Sequence, residues 1–142
     1  MDYEDMDKKL KENHIHLAIF CTPHNPCGRV WEREEIEKAM EVYEKNKCLV
    51  ISDEIWSDLT LEGYKHIPTQ SVNEYAHEHT FAFYAPSKTF NLAGLQTAAI
   101  SVPNPVIRHK VWRGINTDEV AEPNAFAVDA AIAAFTKGAD WL

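Results

Sequence analysis

The chain has 142 residues, 45% of them hydrophobic, which is enough for one domain with a buried core but not for two comfortable ones. Its formal net charge of -8 argues against a nucleic-acid-binding surface, which needs clustered lysine and arginine. No apolar stretch approaches the roughly 20 residues of a membrane span. The three cysteines lack the spacing of a metal site and favour a reducing, cytoplasmic compartment.

The first half of the chain alternates apolar runs with a helical repeat. Charged residues at 1–13 favour a helix or a frayed lead-in, and His16–Cys21 is the first predicted strand. This strand is apolar on both faces, as in a parallel sheet covered on each side. Proline and other turn residues predict a loop at Thr22–Gly28, before a predicted helix at Arg33–Asn46. The apolar positions of that helix are Ile36, Ala39, Met40 and Tyr43.

Two more strands follow in the middle of the chain. Cys48–Ser52 is the second predicted strand, and Thr80–Tyr84 is the third. Between them, Ile55–Leu61 has a pattern that is compatible with a short turn of helix, and Ser71–His77 is compatible with a short helix. The order strand, helix, strand predicts βαβ units and a largely parallel sheet.

The last part of the chain predicts an antiparallel strand and two helices. Gln96–Val102 is a fourth apolar run, but a parallel crossover from the third strand would need a dozen or more residues. This strand is therefore antiparallel to its neighbour or lies elsewhere. Asn104 and Pro105 are suited to begin a helix as its N-cap and first residue. A second helix is predicted from Pro123, with Gly138 just beyond its end.

Three polar side chains follow the three parallel strands. Asn25 lies after the first, Asp53 after the second and Lys88 after the third. In open α/β sheets, ligands bind at the edge formed by these carboxyl ends. Each residue alone has an ordinary alternative: a surface lysine, a helix N-cap for Asp53, or a local turn around Asn25.

Taken together, the three side chains match a pyridine-type cofactor that has a ring nitrogen, a phenolate oxygen, an aldehyde and a phosphate. Asp53 would keep the ring nitrogen protonated, because a nearby carboxylate favours the charged form. Asn25 would donate to the ring oxygen. Lys88 would bond to the aldehyde and later act as general base on the substrate α-carbon.

Three segments carry a family resemblance: Asn25-Pro26-Cys27-Gly28, Ser52-Asp53-Glu54-Ile55 and Ser87-Lys88-Thr89-Phe90-Asn91. They resemble fold-type I pyridoxal-phosphate enzymes of the class I/II aminotransferase superfamily. Within it, the chain is most similar to the MalY/PatB cystathionine β-lyase group. The segments that point to this group are Ala85–Leu95, His66–Pro68 and Gly138–Leu142.

The resemblance implies pyridoxal 5'-phosphate as cofactor and assigns a role to several residues. It places Asn25 on the ring oxygen, Asp53 on the ring nitrogen, Lys88 as the catalytic Schiff-base lysine and Ser87 at the phosphate. Trp56 stands where many relatives have a tyrosine that contacts the ring oxygen. An indole donates only one hydrogen bond, so we expect this contact to be lost or replaced by packing.

Two further departures concern the phosphate. Ala85 and Gln96 stand where relatives often have a phosphate-binding serine and arginine. Both changes weaken the phosphate anchor and count against an ordinary aminotransferase. The resemblance therefore favours a C–S β-lyase that releases thiol, pyruvate and ammonia from a sulfur amino acid. The alternatives are a class I/II aminotransferase and a non-catalytic fragment that retains the motif.

The resemblance also implies the architecture. The expected fold is α/β, a partial three-layer sandwich of the pyridoxal-phosphate-dependent transferase large domain, mostly parallel with one antiparallel strand. Residues 1–142 are expected to be a fragment of that domain, without its N-terminal part and the C-terminal small domain. The full-length enzyme is expected to be a homodimer that acts on a small amino acid. No metal site is predicted, because the alternating histidines near two strands have no third ligand at a telling spacing.

Overall fold

The computed structural model describes all residues from Met1 to Leu142 and contains six helices and four strands. The helices are α1 (Tyr3–Glu12), α2 (Arg33–Lys45), α3 (Glu74–His79), α4 (Pro86–Thr89), α5 (Pro105–Thr117) and α6 (Ala127–Lys137). The strands are β1 (Leu17–Cys21), β2 (Leu49–Asp53), β3 (Thr80–Tyr84) and β4 (Ala99–Ser101). None of the helices combines the length and the apolar character needed to cross a bilayer.

The four strands form one sheet in the order β1-β2-β3-β4. The pairs β1–β2 and β2–β3 are parallel, and β3–β4 is antiparallel. The short connection after β3 cannot carry a parallel crossover, so the chain turns back beside the strand that it has just left. The predicted α/β fold with a mostly parallel sheet and one antiparallel strand is confirmed.

One face of the sheet is covered by α1, α2 and α3. The apolar stripe predicted for α2 is buried there, because its i, i+3, i+4 and i+7 positions point to the same side of the helix. The stripe packs with side chains from both neighbouring helices and from β1 and β2. The buried cluster consists of Leu10, Phe20, Ile36, Ala39, Met40, Tyr43, Cys48, Val50 and Ala76.

The opposite face of β1 is open, which differs from the expectation of a strand covered on each side. Leu17 is 50% exposed and Ile19 is 73% exposed. Both side chains alternate with Ala18 and Phe20, which point to the helix-covered face. No helix within residues 1–142 packs over the face of β1 that carries Leu17 and Ile19, so these apolar side chains remain in contact with solvent.

The structure corrects two other local predictions. Residues 55–58 form hydrogen-bonded turns rather than a helix, with the Leu59 N–H donating to the Trp56 carbonyl at 3.0 Å, and residues 59–61 have no regular structure. Helix α6 begins at Ala127 and not at Pro123. The Asn124 side chain accepts a hydrogen bond from the Phe126 N–H at 3.0 Å, and this local turn holds the chain out of the helix before Ala127.

The short helix predicted at Ser71–His77 lies at Glu74–His79, after a 3-10 turn at Thr69–Ser71, whereas the predicted start of α5 and the predicted C-terminal ends of α2 and α6 agree with the structure. Asn104 caps α5 by accepting hydrogen bonds from the backbone N–H groups of Val106 and Ile107. Asn46 is the C-cap of α2. Gly138 is the C-cap of α6. Its φ of -88° shows that it does not have the left-handed conformation common for a glycine just after a helix. A side chain at Gly138 would collide with the Phe90 ring, so close packing rather than backbone freedom favours glycine there.

Candidate active site

The three segments that carry the predicted site residues leave the same edge of the sheet. The register places Cys21 opposite Asp53, and Asp53 opposite Phe83. The carboxyl ends of β1, β2 and β3 are therefore level with one another. The loop 22–28, the turns after Asp53 and helix α4 all start from this edge, as the sequence predicted.

Trp56 is the side chain at which the segments meet. Asn25 and Trp56 line the same cavity, which has a volume of about 550 Å3. The Lys88 Nζ atom lies 5.9 Å from the centroid of the Trp56 ring. Asp53 ends β2 three residues before this tryptophan. The structure therefore places the Lys88 amine near the Trp56 indole and Asn25 in the cavity that Trp56 lines, just beyond the strand that ends in Asp53.

Several polar atoms at this edge have no partner within the protein. The indole N–H of Trp56 is buried and makes no hydrogen bond. Lys88 is exposed and forms no ion pair, and the Asn25 side chain makes no hydrogen bond to its own loop. Asp53 uses one oxygen to accept from the Ile55 N–H at 3.3 Å. A buried donor without an acceptor is costly, so Trp56 fits a ligand that presents an oxygen to it.

Helix α4 holds Ser87 and Lys88 next to each other. Pro86 begins the helix, where its missing N–H is not needed. The Thr89 hydroxyl donates to Asp58 Oδ2 at 2.9 Å, which ties α4 to the turns that follow β2. Ser87 is half-buried and its hydroxyl has no partner in the protein. This helix therefore presents a hydroxyl and an amine side by side at the sheet edge.

Glu54 is a site residue that the sequence analysis missed. Its side chain is fully buried, beside the partly exposed Asp53. One carboxylate oxygen accepts from the Ser52 hydroxyl at 2.8 Å and from the Thr69 N–H at 3.0 Å. The other accepts from the Tyr84 hydroxyl at 2.8 Å and lies 2.8 Å from His66 Nε2.

These contacts set the ionisation of Glu54. Burial alone raises the pKa of its carboxyl, but hydrogen bonds from His66, Tyr84, Ser52 and the Thr69 amide outweigh burial and lower the pKa. The pKa of the Tyr84 hydroxyl is raised, by burial first and then by the Glu54 charge. Glu54 is therefore a buried carboxylate that stays ionised because four donors surround it.

A signal for Glu54 was present in the sequence. A carboxylate that directly follows a buried strand needs partners, and this argument applies to Glu54 as much as to Asp53. The partners themselves were not visible, because His66 lies 12 residues away along the chain and Tyr84 lies 30 residues away. Only the fold brings them together.

Arg29 also lines the cavity that contains Asn25, but its charge is already paired. Its guanidinium lies 2.7 Å from Glu35 and 4.9 Å above the Trp31 ring. The Trp31 N–H in turn donates to the Cys21 carbonyl at 3.0 Å. Arg29 thus fixes the loop that carries Asn25 against α2.

The histidine pair near β3 has partners within the protein. No group of three or more His, Cys, Asp or Glu side chains is placed to hold a metal ion. His77 lies 3.1 Å from Glu78, and His79 stacks on Tyr75 with ring centroids 4.2 Å apart. The side chains of His77 and His79, the two alternating histidines near β3, are therefore both engaged within the protein.

The fold and the site define an α/β protein of the open-sheet type, with polar side chains at the carboxyl edge of its parallel strands. The chain belongs to the class I and II aminotransferase family, whose family model matches residues 1–136. This confirms the family that the motifs at the three strand ends indicated.

The chain is similar in sequence to two proteins of this kind and in structure to a third. The chain is 43% identical to the cystathionine β-lyase PatB of Bacillus subtilis over 142 residues, which is 100% of this chain and 37% of PatB. It is 30% identical to protein MalY of Escherichia coli, over 99% of this chain and 36% of MalY. Its fold matches cystalysin of Treponema denticola, which contains a pyridoxal 5'-phosphate cofactor, with a TM-score of 0.94 and 33% identity, covering 99% of this chain and 36% of cystalysin.

Aminotransferases are similar to the chain as well. The aspartate aminotransferase of Sulfurisphaera tokodaii is 30% identical over 137 residues, which is 95% of this chain and 33% of that protein. The chain thus spans little more than a third of the length of these relatives. The comparisons establish the fold and the family, and lyases and transferases both occur within it.

Proposed function

We propose that this chain carries the cofactor-binding part of a pyridoxal-phosphate-dependent C–S β-lyase. Its substrate is a sulfur amino acid such as cystathionine, which is split into a thiol, pyruvate and ammonia. The similarity to PatB, named as a cystathionine β-lyase, supports this reaction. The absence of the phosphate-binding serine and arginine of many aminotransferases, at Ala85 and Gln96, points in the same direction.

The single observation that carries the proposal is the buried, unpaired N–H of Trp56 beside polar side chains at the sheet edge. The Asp53 carboxylate and the Lys88 amine form no ion pair, and Asn25 lines the same cavity as Trp56. A pyridine ring with a protonated nitrogen, an aldehyde and a phenolate oxygen needs a carboxylate, an amine and an amide. The residues present therefore fit the cofactor.

Each residue then has a defined task. Lys88 would hold the cofactor's aldehyde through its Nζ atom, and the same amine, once freed, would serve as the base for the proton on the substrate α-carbon. Asp53 keeps the proton on the ring nitrogen, because its negative charge favours the charged form of the ring. Asn25 donates from its amide to the ring oxygen. When bound, the cofactor supplies an electron sink that stabilises negative charge at the α-carbon.

Trp56 and Ser87 complete the proposed site. The sequence predicts that the tyrosine contact is lost or replaced by packing at Trp56. The buried indole N–H has no acceptor in the protein, which supports a hydrogen bond from it to the ring oxygen instead. Ser87 contributes its free hydroxyl to the phosphate, next to the lysine that holds the other end of the cofactor.

The chain corresponds, in this proposal, to a fragment of the large domain of such an enzyme. Substrate binding then also needs the N-terminal part and the small domain that the longer relatives supply. A homodimer in the cytoplasm is the expected state of the complete enzyme. The three free cysteines are compatible with that reducing compartment.

The reaction is tested in a chimera in which this chain replaces the matching 142-residue part of PatB. We expect pyruvate from cystathionine without any added keto acid, and no pyruvate from the matched Lys88→Ala chimera. Amino transfer that depends on a keto acid, with no pyruvate, would support the aminotransferase alternative and contradict the lyase. A folded chimera that binds no cofactor would support the non-catalytic alternative.

A further inference from the structure

Glu54 joins three segments of the chain through four contacts to one buried carboxylate. Ser52 belongs to β2, Tyr84 is the last residue of β3, and Thr69 and His66 lie on the connection between the two strands. All four contacts are between 2.8 and 3.0 Å long. Hydrogen bonds to an ionised acceptor are the stronger kind, so this residue restrains each segment that it touches.

The first restrained segment is the one that carries the lysine. Tyr84 donates its hydroxyl to Glu54, and only Ala85 separates it from helix α4 with Lys88. Ala85 is itself buried, which leaves little room for α4 to shift at that joint. The position of the amine at the sheet edge therefore depends on where Glu54 holds the end of β3.

The second restrained segment is the one that carries the tryptophan. The chain leaves the sheet at Glu54, forms the turns that contain Trp56, and returns to the same carboxylate at His66. The His66 side chain is only 9% exposed, so this closing contact is shielded from water. Trp56 thus lies within a loop whose two ends meet at Glu54.

We propose that Glu54 is a positioning residue of the cofactor site, which holds the Lys88 amine against the Trp56 ring. This inference rests on the proposed function, since it concerns the reactivity of Lys88 towards the cofactor's aldehyde. Glu54 itself is fully buried and offers no surface to a ligand. Its effect passes through Tyr84 to α4 and through His66 to the loop.

The role is tested by measuring where pyridoxal phosphate attaches to the chain. The 142-residue protein is incubated with pyridoxal phosphate, and borohydride then reduces the bond between the lysine nitrogen and the aldehyde carbon to a stable amine. Peptide mapping gives the labelling of Lys88 relative to Lys110, an exposed lysine of α5 without a salt bridge. Labelling is carried out where circular dichroism shows each variant to be fully folded, because unfolded chains would label both lysines alike and lower the ratio.

We expect the wild-type protein to label Lys88 in preference to Lys110. Glu54→Gln removes the charge and should lower this ratio about tenfold, because it weakens hydrogen bonds that depend on an ionised acceptor. Tyr84→Phe removes only the link to β3 and should lower the ratio about threefold. Glu62→Gln, an exposed carboxylate of the same loop, is the matched control and should have no effect.

The outcomes separate this inference from the proposed function. If the wild-type protein prefers Lys88 and both Glu54→Gln and Tyr84→Phe keep that preference, the positioning role is wrong and the cofactor site stands. If Glu54→Gln does not fold, Tyr84→Phe alone decides, and an unchanged ratio overturns the inference. If the wild-type protein shows no preference for Lys88, the proposed cofactor site fails and the inference fails with it.

Discussion

Removing the Glu54 carboxylate should destabilise the fold much more than neutralising it. Glu54→Ala deletes the acceptor shared by Ser52, Thr69, His66 and Tyr84. Glu54→Gln keeps an acceptor oxygen and adds an amide donor. The His66 ring can present a bare nitrogen to that amide, and the Tyr84 hydroxyl can rotate to accept from it.

The magnitude follows from the groups left unpaired. In Glu54→Ala, the Ser52 hydroxyl keeps its partner Thr69 Oγ1 at 2.8 Å, but the Tyr84 hydroxyl, the Thr69 N–H and His66 Nε2 lose theirs. Each buried donor without an acceptor costs about 1–3 kcal/mol. Since the buried charge disappears as well, its desolvation cost is recovered, and we expect a net loss of about 3 kcal/mol. Glu54→Gln should cost about 1 kcal/mol.

The assay is urea denaturation at neutral pH, followed by circular dichroism, for both variants and for the exposed-site control Glu62→Gln. Exposed substitutions of this kind usually change the free energy of unfolding by less than about 0.5 kcal/mol. If Glu54→Ala were no more destabilising than Glu62→Gln, the network around the carboxylate would not hold the site segments together.

Three further predictions concern pH, the core and the lysine. The Glu54 pKa is lowered in the folded state, so the carboxylate stabilises the fold above the unfolded-state value of 4.5 and this stabilisation is lost as the pH falls. Acid titration of the unfolding free energy should therefore be steeper for the wild type than for Glu54→Gln, and equal slopes would contradict the lowered pKa. Met40→Ala should lose about 2–5 kcal/mol in urea denaturation, because Met40 is fully buried between α2 and the sheet, whereas Val106→Ala at an exposed position should be nearly neutral. Lys88→Ala should abolish the borohydride-stable adduct at the site, and an adduct of unchanged yield would refute the assignment of this lysine.

The sequence predicted those parts of the fold that local patterns determine. The helical repeat through Met40 and the five-residue apolar run at Thr80–Tyr84 each have a single plausible structure. The antiparallel pairing of β4 followed from a simple length constraint on the connection after β3. The strand ends then placed Asn25, Asp53 and Lys88 at one edge, because parallel strands share a direction.

The features that the sequence could not predict depend on distant contacts or on competing side-chain hydrogen bonds. The Asn124 side chain delays the start of α6, and no periodicity reveals such a contact. The Glu54 network joins residues up to 30 positions apart, so only the folded chain shows it. Trp56 was recognised as a departure from relatives, but the lack of a partner for its buried N–H is visible only in the structure.

In the proposed site, Asp53 holds the proton on the cofactor's ring nitrogen at this sheet edge. It is tested directly by the nitrogen-15 chemical shift of ring-labelled pyridoxal phosphate bound to the protein and to Asp53→Asn. We predict a protonated ring nitrogen in the wild type and an unprotonated one in Asp53→Asn, since the amide carries no charge to retain the proton. The same chemical shift in both proteins would contradict the assignment of the site.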